Sequence, residues 1–575
     1  MKKFLSILFT LVLVLSFSLA AAVPATPVMA TPTTTYYVAT TGDDASTTGN
    51  ITAPFRSITH AIATATGGDT IIVAAGTYIA SANETFPINI NKGITLKSAD
   101  GAPTTIINGG EAEAIAIAIN GVTLGTTGHG FTLKGSSTGV IVTNAGAVSG
   151  ITIQGNIIRH NHQGEGNGIY VNEADSMTID GNIFYGDAIW TSSSNNSVEG
   201  GPGNAIQVFE TSSTAAALTV NNNTAYYLQY TFLSLQCTHI DGVVVTGNTA
   251  HDLGLNGVDV ITGAVGSHLL QIGRNTFYNN GRGIRIRSAI TNTGNITINF
   301  NDIYTNTNIN KTTTNGGIWN QTTTNVNALY NYWGNGSGPT ISGNDRGAGD
   351  AISTYVLYQP WLHTTQATVY PSGVRYFGYN WCTLTAGWNV WSTPIALDAQ
   401  CDTWGEYRTL GTDLALATGA NAYYFNGVTF ASVTDSYVLN PCDAIYINMA
   451  SAQTSPILFS PSTSAPSKAL SAGWNLVSAS YIDSMESPTI TNGVAPQTSL
   501  ASVYYVSGVN NIGYSQVVSP ATGQTAWSSV RGPTIDTTTG KTMYPCKGYW
   551  VYMTNAGTLA GTVFTPVSPL IPNPT

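Results

Sequence analysis

An asparagine that follows a short apolar strand recurs along the middle of the chain. The successive copies are separated by 26, 41, 25, 27, 26 and 30 residues. The residues three and five positions before each copy are apolar, which is the alternation of a strand with one buried face. The asparagines are Asn156, Asn182, Asn223, Asn248, Asn275, Asn301 and Asn331, and the residues three positions before them are Ile153, Ile179, Val220, Val245, Ile272, Ile298 and Ala328.

A second strand with the same alternation follows in each unit. A unit this short cannot bury its apolar face alone, but stacked coils cover one another. The pattern therefore predicts a solenoid of parallel sheets. The recurring asparagine then lies at a fixed corner, either as one rung of a hydrogen-bonded ladder or as a simple turn former. The inward residues of the second strand are Ile169, Ile206, Leu233, Val258, Ile284 and Ile318.

A short amphipathic helix is predicted before the first coils. Phe55, Ile58, Ile62 and Ala65 fall on one helical face. A helix at this place would cover the open end of the solenoid and protect its unpaired strand edges from other chains.

Two phrases of the sequence resemble the pectin-lyase-like superfamily of right-handed parallel β-helix proteins. The segment from Tyr36 to Tyr78 is similar to the usual opening of that group, and Asn331 to Pro339, which reads Asn-Tyr-Trp-Gly-Asn-Gly-Ser-Gly-Pro, is similar to a phrase found where such helices close. The resemblance implies an all-β fold over Tyr36–Pro339. It implies little about function, because the superfamily includes lyases, hydrolases, epimerases, adhesins and proteins without known activity.

The C-terminal third carries an internal duplication. Ala386-Gly-Trp-Asn-Val-Trp-Ser392 returns as Ala472-Gly-Trp-Asn-Leu-Val-Ser478, and two further blocks repeat in the same order. The repeat predicts two small β-sandwich-like modules. They resemble Gly-Trp-Asn modules at the ends of some exported bacterial surface proteins. We expect Trp388 and Trp474 in the module cores rather than at a ligand site, because both lie in strand-like runs with small neighbours.

The N-terminus predicts export. Lys2 and Lys3 precede an apolar stretch and a small-residue cleavage site before Thr31, which is typical of a signal peptide; the alternative is an uncleaved membrane anchor. No later segment is long and apolar enough to span a bilayer. The predicted boundaries are a signal peptide (1–30), an N-terminal cap and first coils (31–110), the β-helix (111–345), a linker (346–375), module 1 (376–465), module 2 (466–566) and a tail (567–575).

The amino-acid composition excludes some classes of binding partner. Only 8% of the residues are charged and the formal net charge is −10, which argues against binding to nucleic acid or to an anionic membrane. Five cysteines in an exported chain permit disulfides, and four of them lie in the C-terminal third.

The outward positions of the second strand predict a glycan site. The row consists of Tyr170, Gln207, Ser234, Asp259, Arg285 and Trp319, with Arg287 and Glu210 further along the strands. Tyr170 and Trp319 would stack on sugar faces about 24 Å apart, and Gln207 and Glu210 would contact the same chain. As catalytic residues, Arg285 and Arg287 would bind an acidic sugar while Asp259 acts as a base or holds Ca²⁺. The alternative is a plain cross-strand pair between Asp259 and Arg285.

These patterns predict a secreted or cell-surface β-helix protein with a structural or adhesive role, which contacts an extracellular polysaccharide or an envelope glycan. The C-terminal modules would then attach it to the envelope or to sister molecules. The alternative is a secreted polysaccharide lyase, ahead of a glycoside hydrolase, because no pair of facing carboxylates is evident. No cofactor is predicted apart from the Ca²⁺ at Asp259, and no cluster of metal ligands stands out.

Overall fold

The computed structural model describes fourteen stretches of the chain. They are residues 33–110, 112–135, 137–159, 166–186, 203–210, 217–267, 269–307, 315–366, 377–459, 465–478, 499–503, 513–520, 526–530 and 541–561. The predicted signal peptide and tail lie outside the described residues. No helix among the described residues is long and apolar enough to cross a membrane.

Three parallel sheets run along the first two thirds of the chain. Sheet A holds the strands that precede the recurring asparagines, sheet B the strands that directly follow them, and sheet C the second strand of each unit. Neighbouring coils pair in register, as Val243–Thr246 does with Leu270–Gly273 in sheet A. The short β-branched runs favour these strands because branched side chains pack well on a pleated surface.

The strands of the three sheets are as follows. Sheet A comprises Thr35–Val38, Thr70–Val73, Thr95–Ser98, Thr123–Leu124, Ala217–Asn221, Val243–Thr246, Leu270–Gly273, Ile296–Asn299, Val326–Asn327 and Val356–Leu357. Sheet B comprises Gly76–Tyr78, Thr105–Asn108, Thr132–Lys134, Ile157–Arg159, Ile183–Tyr185, Thr224–Tyr226, Thr249–His251, Thr276–Tyr278 and Asp302–Tyr304. Sheet C comprises Ile88–Ile90, Ile115–Ile117, Asn204–Glu210, Leu233–Ile240, Asn256–Val265, Arg282–Ile286 and Ile318–Asn320.

A few elements join or supplement these sheets. The long strands Val140–Gln154 and Asn167–Asp180 run from sheet C of one coil into sheet A of the next, with register shifts between the two parts. Ile290–Thr291 pairs with the end of Asn256–Val265, and Pro339–Thr340 pairs with Gly349–Ala351. Short 3₁₀ helices cover Ala80–Ala82, Thr293–Asn295 and Ala501–Val503.

The predicted inward rows form one continuous interior. Ile153, Ile179 and Ile272 are fully buried and belong to the same hydrophobic cluster. Each such side chain stabilises the fold by about 1.5–3 kcal/mol relative to exposure. The stacking of coils is therefore confirmed.

The recurring asparagines form a ladder at the corner between sheets A and B. Nδ2 of Asn248 donates to the carbonyl oxygen of Val220 in the preceding coil at 2.8 Å, and its Oδ1 accepts the backbone N–H of Asn223 at 2.9 Å. The same bonds recur along the series, and all seven asparagines are buried. The ladder is confirmed, and the simple turn former is not what the structure shows.

The predicted helix covers the first coil. It spans Ile58–Thr64, and Ser57 caps it by accepting the backbone N–H of His60 at 3.1 Å. Both carboxylate oxygens of Glu84 accept backbone N–H groups of its first turn, from Ile58 at 2.6 Å and Thr59 at 3.0 Å. These bonds satisfy donors that a helix leaves unpaired at its N-terminus, so the cap is held firmly on the solenoid.

The predicted linker is not a linker over its described part, residues 346–366. Val356–Leu357 pairs with Val326–Asn327 and extends sheet A by one coil, and Trp361–Leu362 pairs with the first long strand of module 1. Arg346 is fully buried, and its guanidinium donates to the carbonyl oxygens of Thr412 and Tyr407 at 2.9 and 2.6 Å. The segment therefore joins the β-helix to module 1 by packing.

Each C-terminal module contains a four-stranded antiparallel sheet. In both sheets the order across the sheet is the first, fourth, second and third strand of that sheet in chain order. In module 1 it is formed by Gly387–Trp391, Ile445–Met449, Ala422–Phe425 and Phe430–Ser432, beside a sheet of Trp361–Leu362, Phe377–Leu384 and Gln453–Phe459 and the helix Trp404–Thr409. In module 2 it is formed by Gly473–Ser478, Gly548–Met553, Tyr514–Ser519 and Trp527–Val530, beside the pair Ser467–Leu470 and Gly557–Ala560. All five cysteines are buried.

The expectation that Trp388 and Trp474 lie in the module cores is wrong. Their side chains are 42% and 38% exposed. In each Gly-Trp-Asn block the tryptophan shares a sheet face with the residue two positions on, Val390 or Leu476. Those two aliphatic residues are buried between the modules, whereas the tryptophans lie beyond the contact.

Candidate functional site

The outward row of sheet C has the predicted register. Tyr170 pairs with Gln207, Gln207 with Ser234 and Ser234 with Asp259, and the row continues through Arg285 to Trp319. One side chain per coil thus stands on a single line across the strands, because in-register parallel pairing carries the same face from rung to rung.

A bidentate ion pair forms in this row, but its partners differ from the expected ones. Arg287 donates from Nε to Oδ1 of Asp259 at 3.1 Å and from Nη2 to Oδ2 at 2.8 Å. Asn256 adds a third hydrogen bond, from Nδ2 to Oδ2 at 3.1 Å. Arg285 is the Cα partner of Asp259, yet its Nε donates to Gln321 at 3.1 Å. The pair between Asp259 and Arg285 is therefore replaced by one between Asp259 and Arg287.

Two further guanidinium groups lie against Trp319. The central carbons of Arg282 and Arg285 are 4.5 and 4.7 Å from the centroid of the indole ring. Such contacts favour a cation over the negative face of the ring. Three arginines and one tryptophan thus form a cationic and aromatic patch, which we call the arginine patch (Arg282, Arg285, Arg287 and Trp319).

The pKa values of the three arginines in the patch shift in different directions. Partial burial and the neighbouring charge of Arg287 lower the pKa of Arg285, and burial with the charge of Arg285 lowers the pKa of Arg282. The hydrogen bonds to Asp259 raise the pKa of Arg287. Arg287 is therefore committed to Asp259, while Arg282 and Arg285 carry positive charge that Asp259 does not neutralise through direct contact.

The other predicted contact residues are placed differently. Tyr170 and Gln207 are half-buried and lie in the row on the N-terminal side of Asp259. Glu210 was expected to face outward, and this is wrong, because its side chain is only 1% exposed. It lies two residues after the inward Val208 and therefore shares its face. Its charge helps to raise the pKa of the neighbouring Cys237 thiol to about 12, after burial itself.

Sequence reasoning missed an aromatic ladder on sheet B. Neighbouring rings are stacked with centroids 5.2, 5.4, 4.7 and 5.1 Å apart. The signal was present in the repeat, because these rings stand three residues after the recurring asparagines. The ladder consists of Tyr185, Tyr226, His251, Tyr278 and Tyr304.

The described residues hold no cluster of three or more His, Cys, Asp or Glu side chains that would bind a metal ion. At Asp259, the position predicted for Ca²⁺, both carboxylate oxygens accept hydrogen bonds from Arg287. Calcium prefers six to eight oxygen ligands, so this aspartate would have to leave its partner in order to bind one.

The stacked coils define a parallel β-helix protein. The chain belongs to the family described as "Protein of unknown function (DUF1565)", whose model matches residues 40–335. No curated protein matches the chain. Among solved structures it is similar to the crystal structure of pectate lyase Pel9A, with 13% sequence identity over 47% of this chain and 80% of that chain and a TM-score of 0.28.

Proposed function

We propose that this chain is an exported protein that binds an acidic polysaccharide along sheet C without cleaving it. The observation that supports the proposal is that the three arginines of the arginine patch make different contacts. Asp259 is neutralised by Arg287, while Arg282 and Arg285 remain available beside Trp319. The predicted signal peptide supports export.

The state of Asp259 argues for binding rather than for proton abstraction by this carboxylate. A general base needs a lone pair that can reach the proton of the substrate. The side chain of Asp259 is only 4% exposed and accepts three hydrogen bonds. Its role is therefore to hold Arg287 in place and to set the position of the patch.

The ligand class follows from the chemistry of the patch. A uronate carries a carboxylate, which guanidinium groups bind through charge-assisted hydrogen bonds. Its ring also has an apolar face, which Trp319 accommodates. Successive coils are spaced about 4.8 Å apart, so the row from Tyr170 to Trp319 presents side chains at regular intervals to a polymer that lies across the strands.

One observation favours the alternative, a polysaccharide lyase. Arg282 and Arg285 lie side by side against Trp319, so two guanidinium groups could act on neighbouring atoms of one sugar. In that case Arg282 would bind the carboxylate of the uronate, and Arg285 would take the neighbouring proton.

The test is to titrate the mature full-length chain with polygalacturonate and to record unsaturated-product absorbance in the same samples. Arg285→Gln and Trp319→Ala should each raise Kd about tenfold, which corresponds to about 1.4 kcal/mol. Added salt should weaken binding to the wild type. Absorbance should stay flat throughout.

The matched control is Arg408→Ala, which removes an arginine from an ion pair on module 1 and should leave Kd unchanged. Absence of binding to every uronate polymer in a panel would overturn the proposal. A rise in absorbance with the wild type that Arg285→Gln abolishes would replace it with the lyase.

A further inference from the structure

The two C-terminal modules pack with equivalent residues facing each other. Val390 and Leu476 occupy the same place in the two Gly-Trp-Asn blocks, and both belong to one buried cluster with Ala444. Nε1 of Trp550 donates to the hydroxyl of Tyr446 at 2.9 Å, and these two residues are also equivalent in the duplicated sequence.

Two backbone bridges between the modules also join residues at equivalent positions. Trp391 pairs with Lys547, and Val477 pairs with Asp443. The first members of the two pairs are equivalent, and so are the second members. The modules are thus related by an approximate twofold axis at their contact, like the halves of a symmetric dimer.

The packing leaves a continuous strip of aromatic rings on the surface. We define the aromatic strip by its members, which are Trp388, Tyr423, Phe425, Phe430, Tyr446, Trp474, Trp550 and Tyr552. Rings of module 1 contact rings of module 2 directly, since Phe425 and Trp550 are 5.0 Å apart between centroids and Phe430 and Trp550 are 6.1 Å apart.

The outer rings of the aromatic strip are available to a ligand. Trp388, Phe430, Trp474 and Tyr552 are each 38–48% exposed. Trp388 meets Tyr446 edge-on, and Trp474 meets both Trp550 and Tyr552 edge-on. In an edge-on pair, one of the two rings keeps both of its faces clear of its partner. Large exposed apolar patches of this kind mark interaction surfaces.

We infer that the aromatic strip binds a chain of neutral sugars. The strip consists of Trp, Tyr and Phe side chains, which contrasts with the arginine patch on sheet C. Sugar rings have apolar faces that stack on indole and phenol rings, and the hydroxyls of Tyr423 and Tyr552 add polar contacts. The twofold relation presents the same tryptophan twice, which suits a polymer of repeating units. This site is separate from the one proposed on sheet C.

The test is affinity electrophoresis of the full-length chain through gels that contain xyloglucan, galactomannan or laminarin, with polygalacturonate as the acidic comparison. At least one neutral polymer should retard the wild type. Trp388→Ala and Trp474→Ala should each weaken that binding about tenfold, and the double variant should abolish it. Trp388→Tyr should restore most of the binding, because a ring is kept.

The matched control is Tyr355→Ala, which removes an aromatic side chain of similar exposure, 44%, from the β-helix. The proposal fails if no neutral polymer retards the wild type or if the double variant binds as well as the wild type. It also fails if light scattering shows a wild-type dimer that the double variant loses, since the strip would then contact a second copy. Binding of polygalacturonate through Arg285 and Trp319 should persist in the double variant, so failure here leaves the sheet C site standing.

Discussion

Asp350 is half-buried and ends a second, shorter ladder of polar side chains. Oδ1 of Asn280 accepts the backbone N–H of Leu253, and Oδ1 of Asn306 accepts that of Asn280, at 3.1 and 3.0 Å. Oδ2 of Asp350 takes the next place and accepts both the backbone N–H and Nδ2 of Asn306, at 3.0 and 2.8 Å. A carboxylate therefore occupies a position where the repeat would place an amide.

Burial raises the pKa of Asp350 from 3.8 to about 6, and the hydrogen bonds from Asn306 offset only part of that effect. A raised folded-state pKa means that the protonated form contributes stability, which is fully present below pH 3.8 and is lost as the pH rises through about 6. The free energy of unfolding falls by an amount on the order of 3 kcal/mol. We predict that Asp350→Asn is more stable than the wild type at pH 7.5 and that this difference shrinks toward pH 4.

The measurement is denaturant unfolding of both proteins from pH 4 to pH 7.5. Titrations that the two proteins share cancel in the difference between them, so the remaining slope reports this residue. A difference that stays constant over the whole range would show that folding does not raise the pKa of Asp350.

Also at the residue scale, the sequence did not decide which arginine pairs with Asp259. The repeat places Arg285 beside the aspartate, and the structure confirms that register. The pair nevertheless forms with Arg287, because a long side chain from the end of the strand reaches both carboxylate oxygens. Geometry of this kind depends on side-chain reach and local desolvation, which spacing along a strand does not report.

The corner ladder is the element that the repeat specifies most directly. A buried Asn side chain supplies both a donor and an acceptor, and the neighbouring coils offer the matching groups. Removal of one rung takes a hydrogen-bond partner from two buried backbone groups of the preceding coil, and each loss costs about 1–3 kcal/mol.

We predict that Asn248→Ala destabilises the β-helix by about 3 kcal/mol, because the N–H of Asn223 and the carbonyl group of Val220 lose its bonds. Thermal unfolding followed by circular dichroism checks this. Asn89→Ala is the control, since Asn89 lies exposed in a strand of the same solenoid and should leave Tm nearly unchanged. Equal effects of the two substitutions would mean that the ladder contributes little.

At the scale of the whole molecule, the β-helix and module 1 are packed together rather than tethered. The guanidinium of Arg346 also donates to Oγ of Ser455 at 2.7 Å and lies 5.2 Å from the ring of Tyr407. A cation buried this deeply requires its hydrogen bonds, because bare burial is costly. Arg346 therefore connects the last coils to a region more than 60 residues further along the chain.

Arg346→Ala should loosen this contact. We expect a loss of about 3 kcal/mol or more, because three acceptors lose a charged donor. Limited proteolysis should then cut Arg346→Ala between the β-helix and module 1 faster than it cuts the wild type. Arg408→Ala, an exposed arginine of the same module, should behave as the wild type does. Resistance that persists in Arg346→Ala would show that apolar packing alone holds the two parts together.

The sequence by itself determined the coils, the interior rows, the asparagine ladder and the capping helix. All of these repeat along the chain or follow from a local period, so stacking identical units requires no further information. It also determined the line of outward residues from Tyr170 to Trp319, because a period of two fixes which face a residue takes once the register is known.

Only the tertiary structure decided the contacts between parts that do not repeat. Arg287 pairs with Asp259, and Glu210 faces inward. The predicted linker packs between the β-helix and module 1, and Trp388 and Trp474 stay exposed beside the contact between the modules. These outcomes depend on which surfaces meet and how far each side chain reaches. Such distances are set when the chain is packed in three dimensions, and no local pattern records them.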